Sequence, residues 1–216
     1  RRAIGVMAEP TTGRILAMAT VPGFNPNAYG RYSPVLWKQA AVQNVYEPGS
    51  TFKIVTAAAY LSSGRKLTKR YFAEEGEYRI GGGRMVLHDL KKFGWLTAEE
   101  IIVKSSNIGT YKMAKDAGAG YIYEMARRLG FGSKSGVGFP GEPGGILRPL
   151  KRWSSTSLAS ISIGQEVGVT PIQLVMAVAA IANGGVLRTP RIVDAVERDG
   201  RVLLRPELPA PRRVLS

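Results

Sequence analysis

No cysteine occurs among the 216 residues, and histidine occurs once, at His88. The first absence excludes disulfide frameworks, thiolate metal sites and cysteine nucleophiles. The second excludes a multi-histidine metal site, and a lone histidine of this kind reads as a surface or packing residue. Long apolar runs are missing too. The longest strongly apolar stretch, Leu174 to Ala182, falls far short of the roughly 20 residues a membrane-spanning helix requires. No leader sequence opens the chain. Arg1-Arg2-Ala3-Ile4-Gly5-Val6 reads directly into a strand, the pattern expected of a chain that starts inside a larger protein. Acidic residues are scarce: 16 Asp+Glu face 30 Lys+Arg, a formal net charge of +14. Such an excess points to an anionic neighbour: nucleic acid, a membrane surface or an acidic polymer. The basic residues come in ones and twos, as at Arg65-Lys66, Lys91-Lys92 and Arg127-Arg128, without a long basic run.

A chain of this length buries roughly 70 % of the surface its unfolded form exposes, so it can fold without a disulfide or a metal. Residues 3–9 and 14–20 are apolar-rich and flank Pro10-Thr11-Thr12-Gly13, which predicts an opening hairpin. Residues 51–61 predict a helix whose N-terminal end holds Ser50. Short β-like runs surround Gly81-Gly82-Gly83, and Thr97-Ala98-Glu99-Glu100 is a capping-box signal for a helix of about two turns. Helices are expected near 108–118 and 120–130, followed by a Gly- and Pro-rich loop from 130 to 149. A mostly apolar helix should run from Thr170-Pro171 to Asn183-Gly184-Gly185. Residues 191–197 and 202–204, joined by Asp199-Gly200, predict a second hairpin. The order of hairpin, helical block and returning strands favours an α+β fold over a doubly wound parallel sheet.

Ser50-Thr51-Phe52-Lys53 is an S-x-x-K. Positions three apart share a helical face, which sets hydroxyl and amine side by side. A serine hydroxyl needs a base to become a nucleophile, and a neutral lysine can be that base. For Lys53 to be neutral near pH 7 its pKa must fall by about three units, roughly 4 kcal/mol. Ser63-Gly64-Arg65-Lys66 fits the same pattern, but Gly64 ends the helix there. Ser105-Ser106-Asn107 supplies an S-x-N, whose hydroxyl can relay a proton and whose amide can hold a substrate carbonyl and Lys53. Alone, each motif is better read without chemistry: Ser50 as an N-cap serine with Lys53 solvated, and the Ser and Asn of the second as caps of the helix that begins at Ile108. Lys134-Ser135-Gly136 and Gly136-Val137-Gly138-Phe139-Pro140-Gly141 match other well-known patterns, but both lie in the Gly/Pro loop and read as decoys.

Taken in this order, Glu47-Pro48-Gly49-Ser50-Thr51-Phe52-Lys53 resembles the active-serine signature of class B penicillin-binding proteins. Met7-Ala8-Glu9-Pro10-Thr11-Thr12-Gly13-Arg14-Ile15-Leu16-Ala17-Met18 and Pro22-Gly23-Phe24-Asn25-Pro26-Asn27 are similar to their first hairpin and the loop after it. Lys104-Ser105-Ser106-Asn107-Ile108-Gly109, Phe139-Pro140-Gly141-Glu142 and the stretch from Gly164 to Leu174 continue the likeness. The resemblance implies a serine β-lactamase/DD-peptidase-like transpeptidase fold, an antiparallel sheet with helices on both faces and an all-helical lobe. It implies a peptidoglycan D,D-transpeptidase without cofactor or metal, with Ser50 as nucleophile, Lys53 as base, Ser105 as proton relay and Asn107 as positioner. Its partners would be D-Ala-D-Ala stem peptides, β-lactams, a membrane glycosyltransferase and division proteins, with no nucleic acid. Its place would be the extracytoplasmic face of the cytoplasmic membrane, and the Phe-Pro-Gly-Glu and Gly-Gln-x-x-x-Val-Thr-Pro-like segments lean toward the septal branch. The alternative is a penicillin-binding sensor or non-catalytic binding module of the same fold. The family's third element, Lys-Thr/Ser-Gly on an edge strand after the Thr-Pro-Ile-Gln-Leu helix, has no counterpart within residues 1–216. The expectation is therefore a single partial transpeptidase domain, slow or inert by itself, without those strands and without an anchor or pedestal.

Overall fold

The computed structural model describes residues 2–83 and 85–215. It is an α+β structure with small antiparallel sheets, as the order of sequence signals predicts. The opening hairpin is β1 (Ala3–Ala8) and β2 (Ile15–Val21), paired from Ala3↔Val21 to Ala8↔Ile15. A short helix α1 (Ala40–Gln43) follows, then a 3-10 turn over Gly49–Phe52 that runs into α2 (Lys53–Ser62). Two small hairpins come next: β3 (Arg70–Phe72) pairs with β6 (Trp95–Thr97), and nested inside them β4 (Glu77–Ile80) pairs with β5 (Met85–His88).

The helical block is α3 (Ala98–Lys104), α4 (Asn107–Ala117) and α5 (Ala119–Arg128). The capping box at Thr97 and Glu100 is formed in both directions. Gly118, at φ +99°, divides α4 from α5. A six-residue helix, α6 (Ser157–Ser162), is not signalled by its serine-rich sequence, because serine competes for backbone hydrogen bonds and reads as loop. The apolar helix α7 (Pro171–Ala182) starts with Pro171 at its first position, behind a capping box of Thr170 and Gln173.

The chain ends in β7 (Val186–Leu187), β8 (Val196–Arg198), β9 (Arg201–Leu204) and β10 (Arg212–Arg213), with β7 paired to β10 and β8 to β9. The second hairpin is thus shorter than residues 191–197 suggest. Arg191 is taken up elsewhere: its N–H donates to Gly13 O at 2.9 Å and its carbonyl accepts from Ile15 N–H at 2.9 Å. Asp194 is held by the Arg14 and Arg191 guanidinium groups. No described helix is long and apolar enough to cross a membrane.

Two compact units emerge. The first comprises Arg1–Val45, Ser133–Gly145 and Val169–Ser216. Its core is Val42, Val137, Ile172 and Met176, with Ala8, Ile15, Met18, Phe139 and Leu187 packed around them. Gln173 reaches from α7 to donate to the carbonyls of Ser133 and Gly144, and Gln43 donates to that of Pro140. These bonds fix the Gly/Pro-rich loop without regular structure.

The second unit comprises Tyr46–Gly132 and Ile146–Gly168. One core cluster joins α2, α3 and α4 through Tyr60, Ala98, Ile101, Met113 and Ala117. A second joins the β4–β5 hairpin to α4 and α6 through Ile80, Leu87, Ile108, Tyr111 and Ala159. Helices α3 and α4 approach closely at Gly109, where an added Cβ would meet the Ile101 side chain at 2.5–2.9 Å.

Candidate active site

All four residues singled out from the two serine motifs fall in the second unit. Ser50 lies in the 3-10 turn rather than on a regular α-helical face, and its side is exposed to solvent. Pro48 fixes the entry to this turn and Gly49 takes φ +57°, so the chain bends sharply just before the hydroxyl. The turn is strapped from behind by residues over a hundred positions away. Gly49 N–H donates to Gly164 O at 3.0 Å. Glu47 Oε1 accepts from the Glu166 N–H at 2.9 Å. Glu166, itself at φ +55°, is held by its carboxylate, which accepts from Ser157 Oγ at 2.9 Å and pairs with Arg148.

Gly164 is the residue that lets this strap lie close. It follows α6 in a left-handed turn at φ +81°, with its N–H to Ile161 O and the Gln165 N–H to Ser160 O, the bond pattern that closes many helices. A Cβ there would stand 2.0 Å from Gly49 O.

Lys53 begins α2, one turn after Ser50, and its N–H donates to the Ser50 carbonyl. Lys53 is 2 % exposed. Nζ donates to Ser105 O at 2.6 Å, Ser105 Oγ at 2.9 Å and Asn107 Oδ1 at 2.8 Å. Three acceptors match the three protons of an ammonium. Burial pushes the Lys53 pKa down to about 8, against the opposing pull of the Asp89 carboxylate. Deprotonation near neutrality is therefore accessible, and the neutral amine can then accept a proton from the Ser105 hydroxyl.

The S-x-N residues sit at the junction of two helices. Ser105 ends α3 in the left-handed region at φ 55°, ψ 38°, a conformation costly for a residue with a Cβ. That bend turns both its carbonyl and its hydroxyl toward Lys53. Ser106 is buried and caps α4, its Oγ accepting from Gly109 N–H at 2.9 Å. Asn107 opens α4 and bridges two groups: Oδ1 to Lys53, and Nδ2 to the His88 carbonyl at 2.8 Å. His88 itself is exposed and enters the site only through its backbone.

Lys53, Ser105 and Asn107 are thus joined directly. Ser50 joins them through the backbone, and its hydroxyl has no hydrogen-bond partner among the described residues. Sequence reasoning missed Asp89, whose carboxylate accepts from Ser106 Oγ at 2.6 Å, from Ile108 N–H at 3.2 Å and from Asn107 N–H. It also missed Glu47, Arg148, Ser157 and Glu166 as parts of the strap. The only local signal for Asp89 was its place at the end of the glycine-rich hairpin.

The decoys are accounted for structurally. Ser63 lies beyond α2, where its Oγ donates to Tyr60 O, while Lys66 offers its carbonyl to Tyr60. Lys134-Ser135-Gly136 belongs to the loop of the first unit, with the Ser135 N–H bound by Glu142.

The family model for the penicillin binding protein transpeptidase domain matches residues 3–213 and runs through both units. The chain is similar to penicillin-binding protein PbpB of Mycobacterium tuberculosis, 36 % identical over 210 residues, covering 95 % of this chain and 30 % of that protein. It is also similar to peptidoglycan D,D-transpeptidase FtsI of Escherichia coli, 31 % identical over 183 residues, covering 85 % of this chain and 31 % of that protein. Among solved structures, penicillin-binding protein 3 of Mycobacterium tuberculosis in complex with ampicillin superposes with a TM-score of 0.91 at 34 % identity, over 100 % of this chain and 48 % of that one. The chain spans about a third of the length of the two relatives named. Matched by the family model over residues 3–213, the chain belongs to the penicillin-binding protein transpeptidase domain family.

Proposed function

We propose that the protein is a class B peptidoglycan D,D-transpeptidase that works through an acyl-enzyme on Ser50, and that residues 1–216 supply part of one such domain. The observation that carries this reading is the buried Lys53 amine, held by Ser105 and Asn107 one turn after an exposed serine. In the first step Ser50 Oγ attacks the carbonyl of the penultimate D-Ala of a stem peptide. Its proton passes to neutral Lys53, directly or through Ser105. The tetrahedral centre collapses as the C–N bond breaks, and the proton returns to the leaving amine of the terminal D-Ala. In the second step an amine of a neighbouring strand attacks the ester carbonyl and gives its proton to the same lysine, which passes it to Ser50 Oγ as the acyl C–O bond breaks. The 3-10 turn that runs into α2 sets the positive end of the helix dipole beside the developing oxyanion.

A β-lactam would acylate the same serine, since its strained amide offers the same carbonyl. The named relatives support placing this activity in cell-wall synthesis within the cell envelope; the extracytoplasmic face of the membrane and the septal branch are part of the same proposal, resting on the family resemblance of the Phe139–Glu142 and Gly164–Leu174 segments. A membrane glycosyltransferase and division proteins are the partners this reading implies. The test is labelling of the full-length protein with a fluorescent penicillin beside Ser50→Ala. Label lost with Ser50→Ala is expected; label retained in that variant overturns the assignment of the nucleophile. Acylation without any cross-linked product from paired stem peptides would favour the sensor reading.

A further inference from the structure

The first turn of α4 is held twice over. Ser106 already caps it in the ordinary way, taking the Gly109 N–H at 2.9 Å. The two N–H groups ahead of Gly109, those of Asn107 and Ile108, lie outside the reach of that cap, and both go to Asp89 Oδ1. Asp89 Oδ2 in turn accepts from the capping hydroxyl itself at 2.6 Å. One carboxylate therefore grips three consecutive residues at the helix start, from outside the helix, at the end of β5. The carbonyl of the preceding residue, His88, takes Asn107 Nδ2 at 2.8 Å, which leaves Asn107 Oδ1 facing Lys53 Nζ at 2.8 Å. The side-chain amide can be oriented only one way round by such a pair of neighbours, an acceptor on one side and a donor on the other.

We infer that Asp89 is a positioning residue of the acylation step, its carboxylate fixing the first turn of α4 so that the Asn107 amide and the Ser105 oxygens meet the Lys53 amine. This rests on the proposed roles of Ser50 and Lys53. Capping alone does not explain the arrangement, because Ser106 does that already. Lowering the lysine's basicity does not explain it either, because the negative charge of Asp89 acts in the opposite sense. The neighbours of Lys53 from α3 and α4, Ser105 and Asn107, present neutral oxygens, so Asp89 is the charged group acting on it among the described residues.

The test compares the full-length protein with Asp89→Ala and Asp89→Asn, measuring penicillin acylation from pH 6 to 10, resolved into initial binding and the acylation rate constant, with melting temperatures alongside. Asp89→Ala is expected to slow the acylation step about 100-fold, the cost of a misplacement on the order of 1 Å, while initial binding changes by less than about threefold. Asp89→Asn keeps an acceptor for the two backbone N–H groups but not the charge. It is expected to lose no more than about tenfold and to move the acid limb of the rate profile to lower pH. Acylation by Asp89→Ala within about threefold of the unaltered protein overturns the inference. So does an Asp89→Asn profile with both rate and acid limb unmoved, which decides the matter if the alanine variant does not fold. Absence of label on the unaltered protein overturns the reading of Ser50 and this inference together, whereas Ser50-dependent label indifferent to Asp89 overturns the inference alone.

Discussion

Replacing Gly164 by alanine tests how the nucleophile's turn is held. The new Cβ would stand 2.0 Å from Gly49 O and 2.7 Å from Gly49 C and N, all backbone atoms that cannot rotate away. Relieving these contacts to ordinary separations of roughly 3.4 Å or more moves the Gly49–Ser50 turn or the Gly164 turn by about 1.5 Å. Alanine at φ +81° adds a backbone cost of about 1–2 kcal/mol. The hydrogen bond from Gly49 N–H to Gly164 O contributes about 1 kcal/mol more when lost. With about 1–3 kcal/mol for the overlap itself, the expected destabilisation is about 3–6 kcal/mol, a fall in melting temperature of roughly 6–24 °C for a chain of this size. The protein stays folded, but Ser50 is displaced from its place before Lys53, and acylation falls about 100-fold. Gly184→Ala is the matched control: its φ is +78°, yet nothing lies within 4 Å of its Cβ. That variant should lose about 1 kcal/mol and acylate normally. Stopped-flow labelling with a fluorescent penicillin reads the rates, and differential scanning calorimetry the stability. If Gly164→Ala acylates within threefold of the unaltered protein, the strap does not position the nucleophile and the reasoning fails.

Three further outcomes follow from the same geometry. Acylation should rise with pH through a midpoint near pH 8, where Lys53 loses its proton, and Lys53→Met should abolish that limb along with the activity. The stability linkage has a definite sign: a lysine pulled from 10.5 to about 8 makes the unfolded chain bind more protons between those values. The penalty for burying the ammonium is therefore complete below pH 8 and relieved between pH 8 and 10.5, so the unfolding free energy should rise across that window relative to Lys53→Met; a flat difference across it in pH-stepped denaturant melts would contradict the account. Gly109→Ala should overpack α3 against α4 at Ile101 and cost about 1–3 kcal/mol, measurable by chemical denaturation. An alanine tolerated without loss there would show that the two helices have room the structure does not give them.

What was legible in the sequence was short-range. The hairpin at Pro10-Thr11-Thr12-Gly13, the capping boxes at Thr97 and Thr170, and the pairing of Ser50 with Lys53 each depend on residues within a turn of one another, where spacing alone carries the signal. The junction of Lys53 with Ser105 and Asn107, more than 50 residues apart, followed from the resemblance and not from any local pattern. Asp89 and Glu166 act through contacts 17 and 119 residues distant, and nothing in Leu87-His88-Asp89-Leu90 or Gln165-Glu166-Val167 separates them from ordinary loop acids. Helix α6 was hidden because its serines favour loops locally, while burial of Ala159 and Ile161 stabilises the helix in place. The strand expected at Arg191 was lost because its backbone bonds were claimed by Gly13 and Ile15.

The most direct test of the central claim is mass spectrometry of the penicillin-treated full-length protein after trypsin digestion. Cleavage after Lys38 and Lys53 releases Gln39–Lys53, a peptide whose one serine is Ser50. The account predicts a single penicilloyl adduct on that serine and none in Ser50→Ala. An adduct on any other peptide, or none at all on folded protein, would contradict it.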